Sequence, residues 1–115
     1  MEVAALSADD ALRLIDDPNV VFVDVRETDE RRKTGTLKGP VHVSRGFLEF
    51  YADPSSLTHL KALSGGKRLV LYCASGNRSA LAAKTLKSMG IANVSHVSGG
   101  LSALQKADGE TESAA

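Results

Sequence analysis

The only cysteine of the chain, Cys73, lies between a short apolar run and a compact polar loop. Residues 68–72 read RLVLY, and an apolar run without polar alternation predicts a buried β-strand. Apolar residues recur at helical spacing from Leu81 to Met89, so a helix is predicted to follow the loop. Backbone N–H groups of such a turn, and the positive end of the helix dipole, stabilise anions. The junction therefore predicts a nucleophilic thiolate at Cys73 inside an anion cradle.

The loop after Cys73 supplies residue types suited to that cradle. Gly76 and Asn77 tolerate left-handed backbone conformations, and Ser79 can cap the helix or donate into the loop. Arg78 adds positive charge. A lone cysteine can also be an inert core residue, but the loop favours the reactive interpretation. The predicted binding loop consists of Ala74, Ser75, Gly76, Asn77, Arg78 and Ser79.

Three segments resemble the rhodanese family of single-domain sulfurtransferases. Residues 72–100 read YCASGNRSALAAKTLKSMGIANVSHVSGG and resemble the active-site segment of the family. VVFVDVRE at 20–27 and VHVSRGFLEF at 41–50 resemble two further family segments, so the similarity extends from about Val20 to about Lys106. The resemblance implies an α/β fold, a three-layer sandwich in which helices flank a central, mostly parallel sheet.

The resemblance also implies a chemistry. A family cysteine takes the outer sulfur of thiosulfate or a persulfide donor, holds it as a persulfide and passes it to cyanide or a thiol. Cys73 matches that cysteine, and residues 74–78 match the loop whose amides hold the persulfide. Implied partners are a small sulfur-containing anion, a thiol or cyanide acceptor and a possible protein donor or acceptor.

The chain departs from the family pattern at two places. It reads GTLKGP where many relatives read GHIPGA, so Thr36 replaces a histidine, Lys38 a proline and Pro40 an alanine. Leu104 stands where relatives commonly carry tryptophan. We expect the first change to alter loop packing and pocket shape, and Leu104 to fill its core site without an aromatic wall.

Two alternative functions stay open. The domain could be a persulfide carrier or a docking module that acts on a protein partner, since fold does not fix function. A phosphatase or arsenate reductase also places a cysteine and an arginine at the ends of an anion-binding loop. Those phosphatases have five residues between the two, whereas four separate Cys73 from Arg78 here, which favours sulfur transfer.

Other charged residues near predicted strand ends are candidates for support of the site. Asp24 and Arg26 follow a predicted buried strand and are predicted to pair and brace neighbouring loops, although such loop ends also form sites. Arg45 either attracts an anionic donor or is a solvated residue before a helix; Lys38 could add to its field. The acidic residues before the basic run at 31–33, including Glu30, are predicted to pair with it in a solvated helical turn.

No metal or other cofactor is predicted. His42, His59 and His96 lack the spacing of metal ligands. His42 and His96 lie in predicted strands and are interpreted as core or edge residues. Gly99 and Gly100 lack the remainder of a phosphate-binding motif and are predicted to end a strand before the last helix.

Length and composition indicate how many domains the chain has and which partners it lacks. We predict one domain over residues 1–107 and a disordered tail over 108–115. The 14 basic and 14 acidic residues balance, which argues against nucleic acid as the main partner. The N-terminal stretch predicts neither a signal peptide nor a membrane span, and a free thiol fits a cytoplasmic location.

Strands are predicted to alternate with helices, as in a parallel-sheet α/β sandwich. Ser7 and Asp10 resemble a helix cap. Besides the strands at 20–24 and 68–72, we predict strands at 41–43 and 94–97 and helices at 47–51, 57–63 and 101–106.

Overall fold

The computed structural model describes residues 4–27, 29–31, 36–37, 41–53, 55, 63, 66–74, 77–91, 93–107 and 111–112. The strands within these ranges are β1 (Ala4–Leu6), β2 (Val20–Asp24), β3 (Thr36–Leu37), β4 (Val41–His42), β5 (Arg68–Tyr72), β6 (Val94–Val97) and β7 (Thr111–Glu112). The helices are α1 (Ala8–Leu12), α2 (Leu48–Ala52), α3 (Asn77–Ser88) and α4 (Gly100–Lys106), and a 3₁₀ turn at Arg45–Phe47 leads into α2.

Five parallel strands form the central sheet in the order β1-β6-β5-β2-β4. Strand β5 lies at the centre, and its five residues pair with β2 from Val20 opposite Arg68 to Asp24 opposite Tyr72. Because all strands run the same way, their carboxyl ends lie at one edge, where α/β folds bind ligands. The predicted α/β fold is confirmed, and Cys73 directly follows β5 at that edge.

Both faces of the sheet are buried, which explains why β5 reads as a continuous apolar run. Successive side chains of a strand point to opposite faces. Leu71 and Cys73 accordingly pack in a cluster with Leu86 of α3, whereas Val70 and Tyr72 pack in a second cluster with α1 and α4. These two apolar layers hold the strand that carries Cys73 from both sides.

Local signals explain the helix starts. The Ser7 hydroxyl accepts a hydrogen bond from the Asp10 backbone N–H at 3.1 Å, so the predicted cap of α1 is confirmed. Before α4, Gly99 has a left-handed φ of 77°, a conformation that glycine adopts at little cost. The two glycines therefore end β6 and begin α4, as the sequence predicts.

Several element boundaries differ from the predictions. The helix predicted from Phe47 begins two residues earlier, as the 3₁₀ turn at Arg45. Of the helix predicted at 57–63, only Leu63 lies within the described residues, and it is buried. The strand β1 has no counterpart in the predictions, since its exposed, alanine-rich sequence carries little strand signal.

Two residues of the tail at 108–115, for which disorder is predicted, form a strand. Thr111–Glu112 pairs antiparallel with Thr36–Leu37 in a separate two-stranded sheet. Backbone pairing of this kind leaves no trace in a short polar sequence. The domain boundaries at 107 and 108 stay predictions. No helix in the described ranges is long and apolar enough to cross a membrane.

Candidate active site

Cys73 is buried, with 1% of its surface exposed, and α4 fixes the backbone around it. Its carbonyl oxygen accepts a hydrogen bond from the Leu101 N–H at 2.7 Å, and the Ala74 carbonyl accepts one from the Ser102 N–H at 3.3 Å. Gly100 has a φ of 59°, and a Cβ built on it would lie 2.3 Å from the Cys73 carbonyl oxygen. Glycine at this position therefore permits the start of α4 to approach the loop that carries the cysteine.

Ser79, in the first turn of α3, faces the sulfur. Its side chain is fully buried, and the Cys73 thiol donates to the Ser79 hydroxyl oxygen over 3.7 Å. A serine hydroxyl both donates and accepts, so it can donate back when the sulfur is a thiolate. Of the remaining predicted loop, Ser75 and Gly76 lie outside the described residues, and the backbone of Asn77 begins α3.

Arg78 is bound by a carboxylate from another part of the chain. Its two terminal nitrogens donate to the two oxygens of Glu30, one at 2.6 Å and the other at shorter range. Hydrogen bonding from Arg78 lowers the pKa of Glu30 from 4.5 to about 2, against the opposing effect of burial. The Glu30 contact likewise raises the pKa of Arg78, and the negative charge of Cys73 contributes in the same direction. Glu30 therefore offsets much of the charge that the sequence predicts for the loop.

Glu30 is the residue that sequence reasoning missed. The sequence favours pairing with the basic run that follows, but Glu30 pairs with Arg78, and Arg31 lies 3.4 Å from a carboxylate oxygen of Asp24. Glu30 also accepts a hydrogen bond from the Glu27 N–H at 3.2 Å. The sequence separation of 48 residues between Glu30 and Arg78 explains why no local pattern reveals the pair.

Asp24 and Arg26 form a buried ion pair at the end of β2. Their side chains are 0% and 1% exposed, and the Arg26 guanidinium donates to both carboxylate oxygens, at 3.0 Å to Oδ2. The Asp24 carboxylate also accepts from the Arg26 backbone N–H, and the Arg26 carbonyl bonds to His42 Nε2 at 2.8 Å. These contacts lock the loop that leads toward Glu30.

Arg45 bridges two helices. One terminal nitrogen donates to Glu49 at 2.5 Å and the other to the Thr85 hydroxyl of α3 at 3.1 Å. Its charge is thus shared with a carboxylate, and its role in anion steering stays a prediction. Lys38 lies outside the described residues.

Leu104, in the position where a tryptophan is common, is fully buried in the second apolar cluster. Of the three departures in the GTLKGP segment, Thr36 has only its backbone described, in β3, and Lys38 and Pro40 lie outside the described residues. Within the described ranges, no cluster of three or more histidine, cysteine or acidic residues could hold a metal ion.

Known proteins share both this sequence pattern and this fold. The sequence profile of the rhodanese-like domain matches residues 7–107. A Rhodopseudomonas palustris protein of unknown function, called a possible tyrosine phosphatase, superposes with a TM-score of 0.92 at 39% identity, over 96% of this chain and 85% of that one. Thiosulfate sulfurtransferase from Pseudomonas aeruginosa superposes with a TM-score of 0.79 over 96% of this chain and 20% of that one, and its 23% identity supports the fold alone.

Curated relatives are longer proteins. The tRNA uridine(34) hydroxylase of Mesorhizobium japonicum is 33% identical over 89 residues, which cover 76% of this chain and 28% of that protein. The chain thus spans about a quarter of the length of the hydroxylases that it matches. The profile match over most of the chain, together with the parallel sheet that ends in Cys73, shows that the chain belongs to the rhodanese-like domain family.

Proposed function

We propose that the protein is a sulfurtransferase that carries sulfane sulfur as a persulfide on Cys73. Family membership supports sulfur-transfer chemistry in general. The observation that carries the proposal is the setting of the sulfur: Cys73 is buried at the carboxyl end of the central strand, 3.7 Å from the Ser79 hydroxyl. A hydroxyl and the N-terminal turn of α3 suit a group that is negative both before and after it accepts sulfur.

The first half-reaction is a displacement at sulfur. The Cys73 thiolate attacks the outer sulfur of thiosulfate, an S–S bond forms at Sγ, the S–S bond of the donor breaks, and sulfite leaves with the bonding electron pair. In the second half-reaction a nucleophile such as cyanide attacks the outer persulfide sulfur, and the Cys73 thiolate returns. No external oxidant or reductant is needed. Covalent capture of this kind gives ping-pong kinetics.

The loop would lower the barrier by stabilising charge. Negative charge concentrates on the departing group and on the new persulfide, where oriented N–H and O–H donors act without reorganising. In this proposal Ser79 and the backbone of the loop from Ala74 to Asn77 are the donors. In this proposal Asp24 and Arg26 position neighbouring loops.

Steady-state kinetics test the proposal. With thiosulfate and cyanide, thiocyanate should form with parallel double-reciprocal plots, and Cys73→Ser should abolish its formation while leaving the circular dichroism spectrum and the melting temperature intact. Turnover by the folded Cys73→Ser variant would contradict a persulfide on Cys73.

A persulfide carrier loaded by another protein is the main alternative. In that case Cys73 still holds sulfur, but thiosulfate is a poor donor and a protein persulfide a good one. A docking module would not need Cys73. Sulfur loading from a protein persulfide without loading from thiosulfate would favour the carrier, and a Cys73→Ser variant with full biological function would favour docking.

Phosphatase activity is a second candidate because a relative of 39% identity is called a possible tyrosine phosphatase. Four residues, rather than five, separate Cys73 from Arg78, which leaves less room for a tetrahedral oxyanion. Arg78 is also occupied by Glu30. We therefore expect no release of phosphate from p-nitrophenyl phosphate, and release that depends on Cys73 would favour the phosphatase.

The proposal also covers whether the chain binds RNA. Relatives called tRNA uridine(34) hydroxylases suggest RNA as a possible partner, whereas the balanced charge favours a small sulfur anion, a thiol or a protein. We expect no saturable binding of tRNA to the isolated chain in fluorescence anisotropy at physiological salt.

A cytoplasmic location, where a free thiol persists, fits this chemistry.

A further inference from the structure

We propose that Glu30 determines the class of sulfur donor: by binding Arg78 it selects against doubly charged donors such as thiosulfate and favours donors whose transferred sulfur carries little charge, such as a thiol-borne persulfide. This inference rests on the proposed sulfur transfer at Cys73. It assigns a specificity role to Glu30, a residue in the helical turn at 29–31 that follows β2 rather than in the loop that carries the cysteine.

The geometry of the pair carries the argument. Arg78 meets Glu30 with both terminal nitrogens, the bidentate arrangement that gives strong and directional ion pairs. Glu30 is itself held by the Glu27 N–H. An anion that recruits Arg78 must therefore displace a preorganised carboxylate or accept that carboxylate as a neighbour.

The other arginines described at this end of the sheet are themselves held by carboxylates. Arg26 is buried against Asp24, which Arg31 also approaches, and Arg45 is bonded to Glu49. Arg26 and Arg31 share one carboxylate, so their charges are partly offset, and that of Arg45 is paired. A dianion that approaches Cys73 thus meets described arginines that already have a carboxylate neighbour.

The charge of a sulfur donor determines how much its approach to Cys73 depends on a nearby cation. Thiosulfate brings two negative charges toward a thiolate, so its approach depends on a compensating cation. A protonated persulfide, R–S–SH, brings none at the sulfur that is attacked. The Cys73 thiolate attacks that sulfur, the donor S–S bond breaks, and the thiolate RS⁻ leaves and takes up the proton, so atoms and electrons balance without a further reactant.

Alkylation of Cys73 measures this selection without sulfur transfer. Iodoacetate and iodoacetamide have similar shapes and differ by one negative charge, and the ratio of their rate constants cancels any change in the thiolate fraction. Cys73 is the only cysteine, so intact mass follows its modification alone. In Glu30→Gln the ratio of iodoacetate to iodoacetamide should rise on the order of three- to tenfold, because one charge is removed beside the site. The rise should shrink with added salt.

Two further variants make the comparison decisive. Asp10→Asn removes a carboxylate of α1 that pairs with Arg13, the residue after that helix, and so changes net charge equally. Its ratio should equal that of the wild type. Arg78→Ala leaves the Glu30 carboxylate without its arginine and should lower the ratio. An unchanged ratio in Glu30→Gln, or an equal rise in Asp10→Asn, would overturn the role of Glu30.

Kinetics with two sulfur donors then test whether Glu30 also affects the choice of donor. Thiosulfate and methanethiosulfonate differ in charge, as a dianion and a monoanion. Glu30→Gln should raise kcat/KM for thiosulfate relative to methanethiosulfonate by about the same factor as the alkylation ratio. An equal change for both donors would overturn donor selection. Failure of both donors and of a thiol-borne persulfide to load Cys73, with the alkylation ratio shifted, would refute the proposed sulfur transfer and leave the electrostatic action of Glu30 standing.

Discussion

Ser79 lies in the first turn of α3 with its hydroxyl oxygen 3.7 Å from the Cys73 sulfur, and both side chains are buried. A hydroxyl in this position can donate to a thiolate and to the persulfide that replaces it. At the scale of single residues, this contact supports the prediction that Cys73 bears negative charge.

Removing the hydroxyl should slow sulfur loading. We expect Ser79→Ala to lower the rate of persulfide formation about tenfold, the effect of losing one hydrogen bond to a charged group. Stopped reactions analysed by intact mass measure the rate. Ser88→Ala, which removes an exposed hydroxyl bonded to the Thr85 carbonyl on the same helix, is the control. Equal rates in the two variants would show that Ser79 does not act on the sulfur.

Residue types and spacing predict a nucleophile at Cys73, which stays a prediction, but they do not predict the partners of the arginines. Cys73 is recognisable because strand, cysteine and loop are contiguous in the sequence. Arg78 and Glu30 are 48 residues apart, and Arg45 and Thr85 are 40 apart. Such contacts depend on how strands are ordered in the sheet, and charge patterns along the chain favour nearer partners instead.

At the scale of elements, α4 acts as a support for the cysteine loop. Its first residue, Gly100, combines a positive φ with a close approach to the Cys73 carbonyl. The Leu101 N–H then donates to that carbonyl. The sequence predicted a tight strand end at these glycines, but the contact with the loop became visible only in the fold.

A methyl group at Gly100 should disturb that support. We expect Gly100→Ala to reduce the free energy of unfolding by about 2–4 kcal/mol, from left-handed strain and overpacking together. Gly46→Ala is the matched control, since nothing lies within 4 Å of a Cβ there and its φ is not positive. Urea denaturation measures both. A loss in Gly100→Ala no greater than that in Gly46→Ala would contradict the close approach.

The Glu30–Arg78 contact joins the helical turn at 29–31 to α3 and should make stability depend on pH. Because folding lowers the pKa of Glu30 to about 2, its contribution is fully present above the ordinary value of 4.5 and is lost as the pH falls toward 2. Wild type should therefore exceed Glu30→Gln in free energy of unfolding at pH 6, and the difference should shrink below pH 4.5. Urea denaturation across this range measures it. A difference that is constant from pH 6 to pH 3 would argue against the ion pair.

At the scale of the whole molecule, two apolar layers hold one parallel sheet, and the layering was predictable from alternating strands and helices. The short strands β1, β3 and β7 were not predicted, because their positions depend on pairing with distant partners. Helix α4, which carries Leu104, completes the second layer.

Truncation of Leu104 tests how much its buried side chain contributes to the stability of that layer. We expect Leu104→Ala to cost about 2–5 kcal/mol of unfolding free energy, as for other buried leucines. Leu81→Ala, at a site 63% exposed on α3, should change stability by about 0.5 kcal/mol or less. Thermal and urea denaturation compare the two. Similar small losses would contradict full burial of Leu104.

The central claim is that Cys73 carries the transferred sulfur, and intact mass spectrometry tests it most directly. The reduced protein is measured before and after treatment with thiosulfate, with methanethiosulfonate in parallel, and again after cyanide, with Cys73→Ser alongside. The account predicts a gain of one sulfur atom in the wild type only, and cyanide should erase this gain and release thiocyanate. No gain from these donors or from a protein persulfide, or an equal gain in Cys73→Ser, would contradict it.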